Sequence, residues 1–434
     1  MRQTLLTILL LLVLVPTPGI PVAAQGNDPA EVEPVSGSVV CPPGVYPSAP
    51  SDCLPIGPSE YMTHVASENI PYPILPLPAY SPDASLAEIP YQYFKLTQAD
   101  ARFYLFPTLD AAMASSVSGQ SLGPGEVIVS YVDRIENNSG VFYQLRSGYW
   151  VRGDFGGRLA MHQPFLGLLF SSQPHNPFGW VLGPIVSRSA AGVNSPETGH
   201  SFNRYNIVQI YATQTVDNMV WNLVAPDEWL DARQVARVDP VTLPPKGITT
   251  NRWIEVNLEE QTLSVYQDNR LVFATLVSSG IENLWTRPGI FQIQEKKLSE
   301  DMSGSTAADG SDLYHVEDVP WTMYFDEKRA LHGAYWHDRF GYPNSHGCVN
   351  LSLGDSHWLY DWASVGDFVY VHDPSGHTPT DAALFGSGAP CRLKIPMVYS
   401  ARSWTRGVAA KHAALSRPRS RVRISSGPWQ EELV

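Results

Sequence analysis

Apolar and polar residues alternate most cleanly in RWIEVNLEEQTLSVYQDNRLVFATLVSSG, residues 252–280. Side chains of an extended chain point to opposite faces in turn, so this period of two predicts antiparallel strands of a half-buried sheet. Ile254, Val256 and Leu258 share one face, and Leu263, Val265, then Leu271, Phe273 and Thr275 continue it across a turn at QDNR. TRPGIFQIQEKK (286–297), VPWTMYF (319–325) and GDFVYVHD (366–373) add further strands. DSHWLYDWAS (355–364) is the one convincing short helix, with Asp355 as its N-cap and Trp358, Leu359 and Trp362 on one side. The stretch 248–373 therefore reads as one mainly β domain.

Upstream, residues 91–245 show shorter β-type runs between turns, such as EVIVSYVDRI and NIVQIYATQTV. FYQLRSGYWVRGDF (142–155) and VWNLVAPDEWLDARQV (220–235) repeat one order: aromatic, any residue, Leu, a polar turn, then Trp, aliphatic, charged. Each predicts a hairpin whose Leu and Trp face a small core, with Gly148 or Pro226 at the turn. The pair resembles the SH3-like wall-binding modules of bacteria, which implies two small barrels ahead of the last domain; one irregular β domain is the alternative.

Residues 25–90 hold fourteen of the 37 prolines. Fixed φ and missing N–H groups favour a spacer or an extended wrapping segment there over a helix or central strand. The first 24 residues combine Arg2, an apolar run from Leu5 to Val15, and small residues Val22 and Ala24 before a plausible cut. That is the layout of a signal peptide, and eleven apolar residues fall short of the roughly 20 a membrane span needs. An exported protein of the cell envelope or the extracellular space is expected, with no stable membrane span. In that setting Cys41 and Cys53 form a natural disulfide.

Composition sharpens this picture. The 434 residues are 44 % hydrophobic and 16 % charged, enough for two to four cores. Net charge is −13, but residues 391–434 carry nine Lys/Arg and two Asp/Glu, so that tail is +7 and the rest is −20. A body that acidic argues against nucleic acid as a partner. Residues 374–434 read as a basic, disordered tail. Nothing sets an oligomeric state.

The chemistry concentrates in LHGAYWHDRFGYPNSHGCVNL, residues 331–351. A thiol with pKa about 8.5 is only a few per cent thiolate at neutral pH, so a nucleophilic Cys348 needs a base or oriented donors. His332 at the end of a β segment can serve as that base from an adjacent strand. Gly347 lets the backbone approach, so that the amides of Gly347 and Cys348 can meet an oxyanion, while His346 and Ser345 can fix the loop. Zinc held by His332, His337, His346 and Cys348 is disfavoured because positions 346 and 348 lack the usual ligand spacing. A disulfide from Cys348 to Cys391 ranks low, and Cys391 has no evident partner. A small buried hydrophobe remains the plain alternative.

SHGCVNL with LHG sixteen residues before the cysteine, together with the 253–280 strands and RPGIFQI, resembles the YkuD-like L,D-transpeptidase catalytic domain. The resemblance implies a β-sandwich with a short helix. It also implies Cys348 as nucleophile, His332 as proton acceptor and donor, and Gly333 orienting the imidazole through its carbonyl. His346, Ser345 and Asn350 then fall on loop positions, and KLSEDMSGSTAADGSDL falls on a lid. The implied substrate is the stem peptide of peptidoglycan, attacked without metal or organic cofactor: a Cys thioester forms, terminal D-alanine leaves, and an amine takes the acyl group. Hydrolysis of the same thioester, by an L,D-carboxypeptidase, and a wall-binding protein with little catalysis are the alternatives.

Overall fold

The computed structural model describes residues 58–98, 101–109, 114–116, 126–159, 165–304, 314–381 and Phe385. The expected signal peptide, the Cys41–Cys53 bridge, Cys391 and most of the basic tail lie outside these residues. No helix among the described residues is long and apolar enough to cross a membrane. The protein is mainly β, and Glu68 onward forms one compact unit.

Residues 58–67 belong to a separate unit, and here the proline reading needs correction. Pro58–Ser67 is an α-helix. Its one proline stands at the first turn, where the missing N–H costs nothing.

Two sheets form a sandwich around the C-terminal core. The strands Ala79–Tyr80, Leu168–Phe170, Arg270–Leu276, Thr262–Gln267, Arg252–Asn257, Phe368–His372 and Gly289–Gln292 lie side by side in that order. The facing sheet contributes Val349–Leu351, Arg329–Gly333 and Tyr314–Asp326. Between them Ile254, Val256, Val265, Phe273 and Val371 meet Met323, Phe325, Leu331, Val349 and Leu351, with Leu359 of the helix Leu353–Trp362 closing the core.

The QDNR turn is a tight hairpin with Asp268 and Asn269 at φ 53° and 58°, a geometry that short polar side chains tolerate. Two details depart from the alternation. A bulge between Val265 and Tyr266 pairs them with Phe273 and Leu271, which puts Leu271 and Phe273 on opposite faces. Nor is the sheet half-buried. Its other face carries Trp253, Tyr266, Leu271, Ala274 and Leu276, covered by Phe178, Trp180, Ala236 and Val238. The rings of Trp253 and Tyr266 stack at 4.4 Å within that second core.

The helix also starts earlier than expected. Ser352 is the N-cap, its Oγ accepting from the Asp355 amide at 3.3 Å. Asp355 is itself buried, accepting from the Gly167 amide (2.8 Å) and from Thr275 Oγ1 (2.5 Å). The first residues after the last strand are not a solvated tail either. Thr378 and Phe385 are buried, His377 stands edge-on to Trp285 at 5.5 Å, and the Phe385 ring lies 5.4 Å from the Arg329 guanidinium.

The region 92–158 joins the second of these sheets edge to edge. His315 and Val316 pair in parallel with Val127 and Ile128, so Val127–Asn137 extends the sheet that carries His332. Asp318 fastens the junction, bonded by Ser130 Oγ and by the Arg146 guanidinium, while the Ser130 amide donates to Glu317 at 2.8 Å.

Candidate active site

Arg329–Gly333 and Val349–Leu351 pair in parallel, with Leu331 opposite Val349, His332 opposite Asn350 and Gly333 opposite Leu351. Opposed residues of a parallel pair face the same way, and successive residues alternate. Leu331, Val349 and Leu351 therefore enter the core, while His332, Cys348 and Asn350 share the other face. These three, with Ser345 and His346, line one cavity of about 630 Å³.

His332 is almost wholly buried, and its Nδ1 lies 3.2 Å from the Gly333 carbonyl oxygen. A neutral ring donating there keeps its lone pair on Nε2. Burial drives the pKa of His332 down to about 4, and the bond to Gly333 only partly opposes that, so the ring is neutral at pH 7. Gly333 is required by packing as well as by its carbonyl, since a Cβ there would come within 2.6 Å of Ser356 Oγ.

The loop before Cys348 is tied at several points. Ser345 Oγ donates to the Cys348 carbonyl at 2.5 Å and accepts from the Gly347 amide at 3.1 Å. Thr286 Oγ1 donates to the Gly347 carbonyl at 3.0 Å. Gly347 has φ +117°, which side chains rarely adopt, and a Cβ would also press within 3.3 Å of Arg329 Nε. The Gly347 amide, expected to meet an oxyanion, donates to Ser345 Oγ here. The imidazole of His346 stacks on Tyr314 at 4.6 Å. His337 Nδ1 accepts from the Arg339 amide (3.1 Å), and its Nε2 lies 2.9 Å from the Asn350 carboxamide, fixing Asn350 on the cleft wall.

Cys348 is bonded in a disulfide. The other cysteines, Cys41, Cys53 and Cys391, all lie outside the described residues. The sulfur accepts from the Ala330 amide at 3.4 Å. A disulfide sulfur has no proton to give to His332, so attack by this residue requires the reduced thiol.

Sequence reasoning missed the support beneath the loop. Asp326 is buried between Arg287 Nε and Arg329 Nη1, each 3.0 Å away, and Arg329 Nε donates to the Trp285 carbonyl at 3.3 Å. It also missed Lys95 and Glu126, which reach the cavity from the region before the catalytic domain, and Tyr314 and Trp336. No local motif marks Lys95, Glu126 or Tyr314, because chain segments far apart in sequence bring them to the cavity, and Trp336 lies within the 331–351 stretch without belonging to its motif.

The L,D-transpeptidase catalytic-domain profile YkuD matches residues 251–371. YciB of Bacillus subtilis (strain 168), named as a proposed L,D-transpeptidase, is 27 % identical over 200 residues, which are 42 % of this chain and 90 % of YciB. The L,D-transpeptidase catalytic domain from Enterococcus faecium is 25 % identical and wholly covered, over 29 % of this chain, with a TM-score of 0.26. An L,D-transpeptidase from Stackebrandtia nassauensis is 29 % identical over 31 % of this chain and 59 % of its own, with a TM-score of 0.24. Residues 251–371 thus belong to the YkuD family of L,D-transpeptidase catalytic domains.

Proposed function

We propose that the protein is an exported enzyme acting on peptidoglycan stem peptides, an L,D-transpeptidase whose nucleophile is the reduced Cys348 thiol. The observation that carries this reading is the parallel pairing that sets His332 and Cys348 on one face of one cavity, with the imidazole neutral and steered by Gly333. As Sγ attacks the stem carbonyl, its proton passes to His332 Nε2, and a C–S bond forms while the carbonyl becomes an oxyanion. Collapse breaks the C–N bond to the terminal D-alanine, whose nitrogen takes the proton from the imidazolium. An incoming amine then gives its proton to His332 and displaces the thiolate, which releases the acyl group. Burial of His332 suits this traffic: a base that is neutral at pH 7 is ready to accept, and the charged ring discards its proton readily.

The test is mass spectrometry of products from a defined tetrapeptide stem, using reduced protein with and without an amine acceptor. Release of D-alanine plus a cross-linked product supports transfer. Release with only the tripeptide acid points to hydrolysis, and no release in either case ends the assignment.

A further inference from the structure

Two charged residues reach the cleft from outside the catalytic domain. Lys95 lies on the strand Gln92–Leu96, Glu126 stands directly before Val127–Asn137, and both line the cavity that holds His332 and Cys348. Backbone bonds set their places. The Glu126 carbonyl accepts from the His315 amide at 2.7 Å, and Lys95 lies opposite Ile128 in the antiparallel pair. Lys95 Nζ and Glu126 Oε1 form an ion pair in which the side chains stay 39 % and 36 % exposed. Water solvates both charges of such a pair, so it adds little to the stability of the fold. The same exposure leaves an ammonium with further donors and a carboxylate with further acceptors at the cavity wall. Glu126 is also the only carboxylate among the described residues that line this cavity.

We propose that Lys95 and Glu126 form a specificity subsite for a stem-peptide group that carries an ammonium and a carboxylate on one carbon. This is the zwitterionic head of a diamino-diacid side chain. Its ammonium meets Glu126 and its carboxylate meets Lys95, so two ion pairs replace one and neither protein charge is left unmatched. A side chain with an ammonium alone, or with its carboxylate amidated, leaves Lys95 without an acid and binds less well. The inference rests on the peptidoglycan reading above and gives the region 92–158 a part in substrate choice.

The experiment uses the reduced full-length chain and three synthetic tetrapeptide donors that differ only at the third residue: zwitterionic head, ammonium only, and amidated head. The zwitterionic donor is expected to lead by about 10- to 100-fold in kcat/KM, mainly through KM, as is typical when a charged group loses its partner. Lys95→Met and Glu126→Gln should erase that lead at an unchanged thermal midpoint, and Lys95→Arg should keep it. Calorimetric binding of the same donors to Cys348→Ala reads the subsite without turnover. A binding preference with no D-alanine release by the wild type supports the subsite and sinks the proposed reaction. Equal binding of the three donors overturns the subsite, whatever the turnover.

Discussion

Two regions ahead of the catalytic domain share a local plan and do different work. In the first, Gly140–Leu145 and Trp150–Arg152 are followed by a 3₁₀ turn, Gly153–Phe155, and the strand Gly156–Arg158. In the second, Met219–Ala225 and Glu228–Asp231 are followed by Ala232–Gln234 and Val235–Val238. The first closes its own core around Phe94, Val129 and Leu145, then lends its sheet edge to the strand at the cleft. The second packs Val181, Ile210 and Leu230 inside itself and turns Trp180 and Phe178 outward onto Trp253 and Tyr266. One region extends the sheet that carries His332 and reaches the cleft; the other covers the back of the opposite sheet. A repeated hairpin fixes local shape, whereas its edges and outer faces decide what it does for its neighbour.

The largest effect is needed before the two regions can be compared by activity at all. Untreated protein should form no carbapenem adduct on Cys348, because the sulfur is already bonded. After a dithiol reductant the intact mass should rise by one acyl group, and Cys348→Ala should show no adduct either way. Full labelling of untreated protein would mean that the disulfide does not control the nucleophile.

Next come substitutions that separate the regions. Trp180→Ala empties a fully buried site and should cost about 3–5 kcal/mol in chemical denaturation. Its kcat/KM should stay near wild type well below the melting point, because Trp180 lies on the side away from the cleft. Tyr93→Phe should do the reverse. The Tyr93 ring stacks on Tyr335 at 3.6 Å, and its hydroxyl donates to the Asp318 carbonyl at 2.9 Å, beside the chain that follows His332. Losing that buried bond should cost only about 1–2 kcal/mol yet lower kcat/KM by several-fold. Activity lost in folded Trp180→Ala, or untouched in Tyr93→Phe, would erase the distinction.

Most of the catalytic sandwich was legible in the sequence because Ile254, Val256 and Val265 obey a strict period of two. The second buried face was not, since Trp253 and Tyr266 read as ordinary alternation until Trp180 is placed against them. His332 and Cys348 carry local motifs and were readable; the cleft residues Lys95 and Glu126 depend on a parallel pairing across 188 residues, His315 to Val127, that no window of sequence contains. The helix cap shifted from Asp355 to Ser352 because Asp355 is used for tertiary bonds to Gly167 and Thr275. A pairing of Cys348 with Cys391 ranked low because it would join an ordered loop to a basic tail, and residue 391 lies outside the described residues.

A pair of effects that nearly cancel in the wild type comes from Asp355, which ties the segment between the two regions to the helix Leu353–Trp362, set against His332 in the cleft. Burial raises the Asp355 pKa from 3.8 to about 6. Its contribution to stability is fully present below pH 3.8 and is lost as pH rises through 6, by about 3 kcal/mol. Burial lowers His332 from 6.5 to about 4. Its contribution is fully present above pH 6.5 and is lost as pH falls through 4, again by about 3 kcal/mol. The two slopes oppose each other across pH 4 to 6, so these residues together leave the wild-type profile nearly flat there. Asp355→Asn should expose the histidine slope, with stability rising from pH 4 to 6.5, and His332→Gln should expose the aspartate slope, with stability falling from pH 4 to 6. Denaturant midpoints across that range check both, and two variants with the same slope would show that these groups do not set the balance.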